Sequence, residues 1–431
     1  MRDFPQVLAR VHAFRSKFEG LLAAARERAA RARRAPADRP TRLRELTGFG
    51  TNPGNLRMFV YAPKDLPRGA PLVIALHGCT QSAAEYDHGT GWSSLADSLG
   101  FAVVYPQQQP ANNPKNCFSW FLPGDIARGG GEALSIREMV EHATAAFAAD
   151  RRKVFVTGLS AGGAMASVML ATYPEVFAGG AIIAGLPYGC ANNIQQAFEA
   201  MFTEQKYAVQ ALGDRVRAAS THCGPWPRIS VWHGTCDPIV RPSNGEDILR
   251  QWTNVHGVSE SPSHEELVES YTRRVWRDAN GNAQIEAFSI NGMAHGVPLA
   301  TTSCGAAGAF FLDVGISSTH HIARFWRLHV SSAEMPRAAA AVPAAIQIPT
   351  SGRALVVAAE DAHSSVETSV AEGEEQQTHY PLDPNAVIAA AFKAAGLPVP
   401  EIPMAARGTP PHVAPGPIIV AALKAAGLLQ T

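Results

Sequence analysis

The feature that most constrains this chain is a short apolar run that ends in a Gly-x-Ser-x-Gly motif. Residues 153–157 are rich in β-branched and aromatic side chains, which is typical of a buried strand. Gly158, Ser160 and Gly162 follow at once, and the alanine-rich run over 161–172 predicts a helix. This order of strand, sharp turn and helix favours a nucleophile elbow over a chance match in a loop. It would expose the Ser160 hydroxyl at the carboxyl edge of a sheet.

The central part of the chain alternates strand-like and helix-like stretches. Such alternation predicts the α/β class, with a mainly parallel sheet that helices cover on both faces. A hairpin is expected over 270–290, with Asn280-Gly281 as its turn. The remaining predicted strands are 56–61, 71–76, 101–105, 180–184 and 229–232, and the remaining predicted helices are 93–99, 132–149, 191–222, 242–255 and 319–328.

Composition divides the 431 residues into a central domain, expected at 46–330, and flanking segments. Residues 1–45 contain 12 Lys and Arg against 5 Asp and Glu, with apolar residues at helical spacing. They predict a basic amphipathic arm, which either binds an anionic or apolar surface or packs on the domain. Residues 331–380 are rich in Ala, Pro, Ser and Glu and predict a linker.

Residues 381–431 contain an internal repeat. The run Val387–Leu397 matches Ile418–Leu428 almost position by position, and each copy predicts a short apolar helix with a glycine near its end. Neither helix could bury its apolar face alone. The pair is therefore expected either to contact an apolar surface or partner, or to fold back onto the central domain.

Overall composition is that of a globular protein, with 46% hydrophobic and 17% charged residues and zero formal net charge. Nothing in this balance indicates nucleic-acid binding. No apolar run is long enough for a transmembrane helix, and residues 1–19 lack the apolar core of a signal peptide. A cytoplasmic location is therefore expected, with secretion as the less favoured alternative. The six cysteines could form three bridges, but in a cytoplasm they are expected to be reduced.

Candidate partners for Ser160 follow later strands. A hydroxyl needs a base to become a nucleophile, and in this arrangement an acid and then a histidine follow the serine along the chain. Asp237 lies on a tight loop after the 229–232 strand, and His295 follows the second strand of the 270–290 hairpin. We expect Ser160 to attack, His295 to transfer the proton, and Asp237 to hold the imidazole and stabilise its cation.

An oxyanion formed at this site would need two N–H donors. The first is expected to be the amide of Ala161, directly after the serine. The second is expected to be the amide of Cys79, in the loop that follows the 71–76 strand. The Cys79 side chain would be either a buried thiol or a bridge to Cys117. The sequence has no metal-ligand spacing, phosphate-binding loop or dinucleotide fingerprint, so no cofactor is expected.

Five motifs occur in a fixed order along the central part of the chain. They are His77-Gly-Cys-Thr-Gln81, Tyr105-Pro-Gln-Gln108, Asn116-Cys-Phe-Ser-Trp-Phe121, Gly158-Leu-Ser-Ala-Gly-Gly163 and His233-Gly-Thr-Cys-Asp237. Together they resemble those of the polyhydroxybutyrate depolymerase family of α/β-hydrolases, in its type 1 arrangement, and the resemblance covers about residues 45–330. It implies hydrolysis of poly(3-hydroxyalkanoate) esters through an acyl-enzyme, although the family also contains feruloyl and acetylxylan esterases.

The section around His295 is more similar to the intracellular branch of that family. Secreted members usually have an aromatic residue soon after this histidine, and residues 296–299 contain none. The implied substrate is amorphous storage polymer or its oligomers, with the terminal segments helping to bind granules. The alternatives are a soluble carboxylesterase for feruloyl, acetylxylan or small esters, and a non-catalytic granule-surface protein. A polymer would need an apolar rim around the serine, for which the candidates are Trp120, Phe118, Phe121 and Tyr188.

Overall fold

The computed structural model describes residues 41–328. The predicted linker, the two repeat helices and residues 1–40 of the arm lie outside the described residues, so those interpretations remain predictions. The described part contains a ten-stranded sheet and a separate two-stranded sheet. Their strands are β1 (Arg44–Leu46), β2 (Arg57–Tyr61), β3 (Leu72–Leu76), β4 (Ala102–Gln107), β5 (Val154–Leu159), β6 (Gly179–Ile183), β7 (Arg228–Gly234), β8 (His264–Val268), β9 (Tyr271–Arg277), β10 (Ala283–Ile290), β11 (Val297–Leu299) and β12 (Phe311–Asp313).

The large sheet has the strand order β1-β2-β4-β3-β5-β6-β7-β10-β9-β8. The six central strands are parallel to one another, in the order β4-β3-β5-β6-β7-β10. The outer strands on both sides of them pair antiparallel. This confirms the predicted mainly parallel sheet. Because parallel strands share one carboxyl edge, the loops after β3, β5, β7 and β10 all emerge on the same side.

Helices cover both faces of this sheet. In β3, Leu72, Ile74 and Leu76 pack into one core, whereas Val73 and Ala75 pack into the other, as the two-residue period of a strand requires. The helices are α1 (Ala83–Thr90), α2 (Trp92–Leu99), α3 (Pro123–Ile126), α4 (Gly131–Ala146), α5 (Ala161–Thr172), α6 (Ile194–Phe202), α7 (Val209–Ala218), α8 (Ser243–His256) and α9 (Ser318–Phe325).

The structure departs from the sequence-based expectations at several elements. Helix α1 was not expected, because its residues lack an apolar stripe. It is held by a capping box between Ser82 and Glu85 and by the buried Asp87, which accepts hydrogen bonds from Ser93 and Tyr105. The single helix expected over 191–222 is two helices, α6 and α7. Strands β1, β8, β11 and β12 and the short helix α3 were also not expected.

Candidate active site

Ser160 lies in the tight turn between β5 and α5, and the turn forces an unusual backbone conformation on it. Its φ is 57° and its ψ is −118°, which is unusual for a residue with a Cβ atom. The Ser160 amide donates to the carbonyl oxygen of Ile183 at 2.9 Å, which fixes the turn against the neighbouring strand β6. A Cβ atom at Gly158 would overlap the carbonyl of Gly162, and one at Gly162 would overlap the carbonyl of Leu76. Both glycines are therefore required for the close strand–helix approach.

Asp237 and His295 form a buried pair. His295 Nδ1 donates to Asp237 Oδ2 at 2.7 Å, and the two residues are 7% and 5% exposed. The other carboxylate oxygen of Asp237 accepts from the amides of Ile239 and Val240 at 2.8 and 2.9 Å. The carboxylate is thus anchored on one oxygen and holds the imidazole with the other. This fixes the tautomer that leaves His295 Nε2 free to accept a proton.

The loops that carry these two residues are tied together because β7 and β10 are parallel neighbours. The Thr235 amide donates to the Ile290 carbonyl at 3.0 Å, and the Cys236 amide donates to the Met293 carbonyl at 3.0 Å. A Cβ atom at Gly234 would overlap the Met293 carbonyl, so the glycine permits this approach. Ser160, at the end of β5 on the same edge of the sheet, is 8% exposed.

The electrostatics favour a charged Asp237. Burial alone would raise its pKa, but hydrogen bonds from His233, His295 and the Val240 amide bring the pKa well below its usual range. His233 Nε2 lies 2.9 Å from the Val240 carbonyl and 3.4 Å from Asp237 Oδ2. It therefore supports the same loop. At neutral pH, Asp237 can stabilise an imidazolium at His295.

The loop after β3 presents the Cys79 amide toward the same edge. In the described part of the chain, the amides of Gly78, Thr80 and Gln81 have hydrogen-bond partners, whereas the Cys79 amide has none. The Ala161 amide begins α5 and belongs to the first turn, whose N–H groups lack intrahelical acceptors. These two amides can therefore serve as donors to a developing oxyanion.

The cysteines differ from the expectation of reduced thiols. Cys79 and Cys117 form a disulfide, so that expectation is wrong for these two residues. The bond joins the loop after β3 to the segment 117–121, and it uses the Cys79 side chain rather than the backbone N–H. The four other cysteines have free thiols: Cys190, Cys223, Cys236 and Cys304.

The predicted aromatic rim is only partly supported by exposure. Phe118 is fully buried, with its ring centroid 5.0 Å from that of His77, so its assignment to the rim is wrong. Trp120 is 7% exposed and packs edge-on against Phe121, at 5.3 Å between centroids. Phe121 and Tyr188 are half-buried and remain candidates for substrate contact. The sequence places Phe118 in a loop, and this does not indicate whether its side chain faces the interior or the solvent.

Two exposed apolar side chains near this edge were missed. Leu122 is 39% exposed directly after Phe121, and Phe202 is 45% exposed and stacks on Phe198. The Phe202 carbonyl accepts from Arg241 Nε at 2.5 Å, which places the end of α6 beside the Asp237 loop. The only sequence signal was the spacing of Phe198 and Phe202, and that spacing is equally typical of a buried helix face.

Residues 41–328 hold neither a cluster of metal ligands nor a membrane-spanning helix. No group of three or more His, Cys, Asp and Glu side chains there is arranged to hold a metal ion. None of the helices in this range is long and apolar enough to cross a bilayer.

Comparison with known proteins identifies similar sequences. The family model described as esterase PHB depolymerase matches residues 58–270. A poly(3-hydroxyalkanoate) depolymerase C from Paucimonas lemoignei is 47% identical over 289 residues, which cover 66% of this chain and 70% of that protein. An acetylxylan esterase from Coprinopsis cinerea is 37% identical over 290 residues, which cover 64% of this chain and 75% of that protein.

Among solved structures, an acetyl xylan esterase from Aspergillus awamori is similar with a TM-score of 0.58 and 26% sequence identity. The match covers 66% of this chain and 99% of that chain. It is consistent with the large, mostly parallel sheet flanked by helices.

Proposed function

This chain belongs to the esterase PHB depolymerase family, and on that premise we propose that it hydrolyses poly(3-hydroxyalkanoate) esters through an acyl-enzyme. It is a serine hydrolase of the α/β-hydrolase fold that acts on carboxylic ester bonds. The observation that carries the proposed mechanism is the buried Asp237–His295 pair on the sheet edge where Ser160 sits. The proposed substrate class is supported by the 47% identity to a poly(3-hydroxyalkanoate) depolymerase, and amorphous polymer or its oligomers is proposed from the sequence around His295.

In the proposed reaction, Ser160 Oγ attacks the ester carbonyl while its proton passes to His295 Nε2. Asp237 holds Nδ1 of His295 and stabilises the imidazolium that forms. The amides of Cys79 and Ala161 donate to the oxyanion of the tetrahedral intermediate. The alcohol of the cleaved ester leaves with the proton from His295. Water then attacks the acyl-enzyme by the reverse sequence of proton transfers, which releases the acid and regenerates Ser160.

A second candidate substrate class is acetylated xylan or another small ester. It is favoured by the acetylxylan esterase relative and by the solved acetyl xylan esterase, whose whole chain is matched. The same serine chemistry serves both classes, because each requires attack on a carboxylic ester. They differ in whether the rim must lie against a polymer chain or admit one small acyl group.

We further propose that the terminal segments bind polymer granules, as the amphipathic arm and the apolar repeat suggest.

The predicted cytoplasmic location would require the Cys79–Cys117 bond to form where disulfides are rare. Alkylating thiols in intact cells before lysis tests this location. Six alkylated cysteines would be consistent with the cytoplasm, whereas four would indicate an oxidising compartment.

The function is tested with purified wild type and Ser160→Ala on two substrates, amorphous polymer granules and p-nitrophenyl butyrate. We expect wild type to release 3-hydroxybutyrate from granules and to cleave the small ester. Ser160→Ala should lose both activities by about 10⁴-fold or more, because the nucleophile is removed.

Retained turnover in Ser160→Ala would contradict the mechanism. Brisk cleavage of the small ester without release from polymer would favour the second candidate. Any Ser160-dependent turnover would exclude a purely structural role.

A further inference from the structure

A buried carboxylate behind the active site is not used by the proposed chemistry. Glu132, near the start of α4, is 2% exposed. One of its oxygens accepts from the Ser119 amide at 2.8 Å, and the other accepts from Gln108 Nε2 at 2.5 Å. A buried charge of this kind is costly, so its two partners point to a specific role.

Gln108 connects Glu132 to His77, which begins the loop after β3. Its backbone amide donates to His77 Nε2 at 3.1 Å, and His77 therefore has its proton on Nδ1. Nδ1 lies 2.8 Å from the Gly78 carbonyl oxygen and donates to it. Glu132 thus holds the Gln108 side chain, and the backbone of the same residue holds His77, so this relay runs through the covalent frame of Gln108 and ends on the Gly78 carbonyl.

That carbonyl determines where the Cys79 amide points. The Gly78 carbonyl and the Cys79 N–H belong to one planar trans peptide, so they point in opposite directions. When His77 holds the carbonyl inward, the N–H is turned outward. An oxyanion donor contributes most when it is held in place before the reaction.

We propose that Glu132 is a positioning residue that holds the Cys79 amide toward the oxyanion, acting through Gln108 and His77. The proposal rests on the proposed function of the Ser160 site. The same carboxylate holds the Ser119 amide, and with it the segment 117–121 that carries the rim candidates Trp120 and Phe121. Glu132 therefore supports both the oxyanion loop and part of the substrate rim.

The relay requires ionised Glu132, because both of its partners are N–H donors. Burial raises the pKa of Glu132 to about 7, with the Asp125 carboxylate adding to this and the hydrogen bonds opposing it. Asp125 is the facing acid from α3, and its Oδ1 lies 3.3 Å from the Glu132 amide. His77 is the other titratable group in the relay, and burial lowers its pKa to about 4, so it stays neutral. Segment 52–55, which packs against the start of α4, contributes no titratable side chain.

Protonation of Glu132 replaces an acceptor with an O–H donor facing another donor, which breaks one hydrogen bond of the relay. Activity should therefore fall when Glu132 takes up a proton. For wild type, log(kcat/KM) for p-nitrophenyl butyrate should rise with pH more steeply in the acid limb than in a variant that lacks this carboxylate.

The test is Glu132→Gln, which places an NH2 group against donors and removes the titration. We expect kcat to fall about tenfold or more with KM within about twofold, because the remaining amide oxygen can still accept from the Ser119 amide, whereas the lost Gln108 contact acts on the transition state. The acid limb should become less steep than in wild type. The matched control is Glu138→Gln on the same helix, whose carboxylate accepts from the amides of Thr51 and Asn52, away from the relay. It should keep the wild-type kcat and slope.

Gln108→Leu removes the contact with Glu132 from its other side and keeps the test decisive if Glu132→Gln does not fold. It should lower kcat to a similar degree and give the same less steep acid limb. Wild-type kcat and slope in either folded variant would overturn the proposal, provided that Ser160→Ala is inactive. Activity in Ser160→Ala would instead contradict the proposed function itself.

Discussion

At the scale of single residues, the turn at Ser160 depends on a glycine, because the turn leaves no space for a Cβ atom at position 162. Gly162 lies where a Cβ atom would overlap the backbone carbonyls of both Leu76 and His77. Those carbonyls belong to the end of β3, from which the oxyanion loop begins. Backbone atoms cannot move aside as a flexible side chain can, so this position is sensitive for both stability and catalysis.

We expect Gly162→Ala to destabilise the protein by about 3 kcal/mol, as overpacking against backbone does. For a domain of this size, that lowers Tm by about 6–12 °C. Thermal denaturation followed by circular dichroism measures the change. The matched control is Gly124→Ala, where a Cβ atom meets nothing within 4 Å and φ is not positive. Equal Tm values for the two variants would contradict the steric argument.

Residue-level prediction agrees with the structure where chemistry dictates the order of residues along the chain. The elbow motif predicted β5 and α5 closely, and the strand before each loop directed attention to Asp237 and His295, which lie 2.7 Å apart; their catalytic roles stay predictions. It failed where tertiary contacts decide the outcome. Phe118 faces the interior because it packs on His77, and Glu132 is buried because the 117–121 segment covers it. Nothing in the local sequence distinguishes these residues from exposed ones.

At the scale of elements, strands β7, β10 and β9 share a buried ion pair. Glu286 on β10 accepts from Ser230 on β7 at 2.8 Å and from Arg273 on β9 at 2.8 and 2.9 Å. Glu286 is 1% exposed, and burial raises its pKa despite the opposing effect of Arg273. The pair joins the antiparallel edge of the sheet to the parallel strands that carry the catalytic loops.

We expect Arg273→Met to cost about 3–5 kcal/mol at pH 8, because it leaves a buried carboxylate unpaired. The pKa of Glu286 should then rise further. Since an acid with a raised folded-state pKa contributes stability that is lost as pH rises, the cost should shrink as pH falls from 8 to 5. Urea unfolding at several pH values measures this dependence.

The neighbouring Arg274 provides the control for that experiment. It pairs with the exposed Glu246 of α8 at 2.6 Å, and exposed pairs contribute little. Arg274→Met should therefore cost less than about 1 kcal/mol and show no comparable pH dependence. A cost for Arg273→Met that is independent of pH would mean that lost packing, rather than the unpaired carboxylate, explains its effect.

At this scale, an element could be predicted when its buried side chains form a recognisable apolar pattern in the sequence. Most of the parallel strands are apolar runs and were found within about two residues, whereas α1 was missed because its stability comes from a cap and from buried polar contacts. Strand β8 was missed because its residues are mostly exposed and charged, which resembles a loop. Its register comes from pairing with β9, a contact that no local pattern encodes.

At the scale of the whole molecule, a polymer-degrading esterase must bind a surface as well as a single ester group. We propose that the arm at 1–45 supplies part of this binding, because its apolar residues recur at helical spacing within a basic segment. Phe14 and Phe18 are four residues apart and would share one helix face. The proposed catalytic residues Ser160, Asp237 and His295 all lie outside this arm, so surface binding and turnover can be measured separately.

The variant Phe14→Ser/Phe18→Ser should lower partitioning onto amorphous granules by about tenfold or more, since each buried aromatic side chain contributes about 1.5–3 kcal/mol. Turnover of p-nitrophenyl butyrate should stay at the wild-type value, because the small ester needs no surface. The matched control is Ala23→Ser/Ala24→Ser, which adds two hydroxyls to the same arm without removing large apolar side chains. Unchanged granule partitioning in the phenylalanine variant would refute surface binding by this face. Loss of both granule binding and small-ester turnover would instead indicate that the arm packs on the catalytic domain.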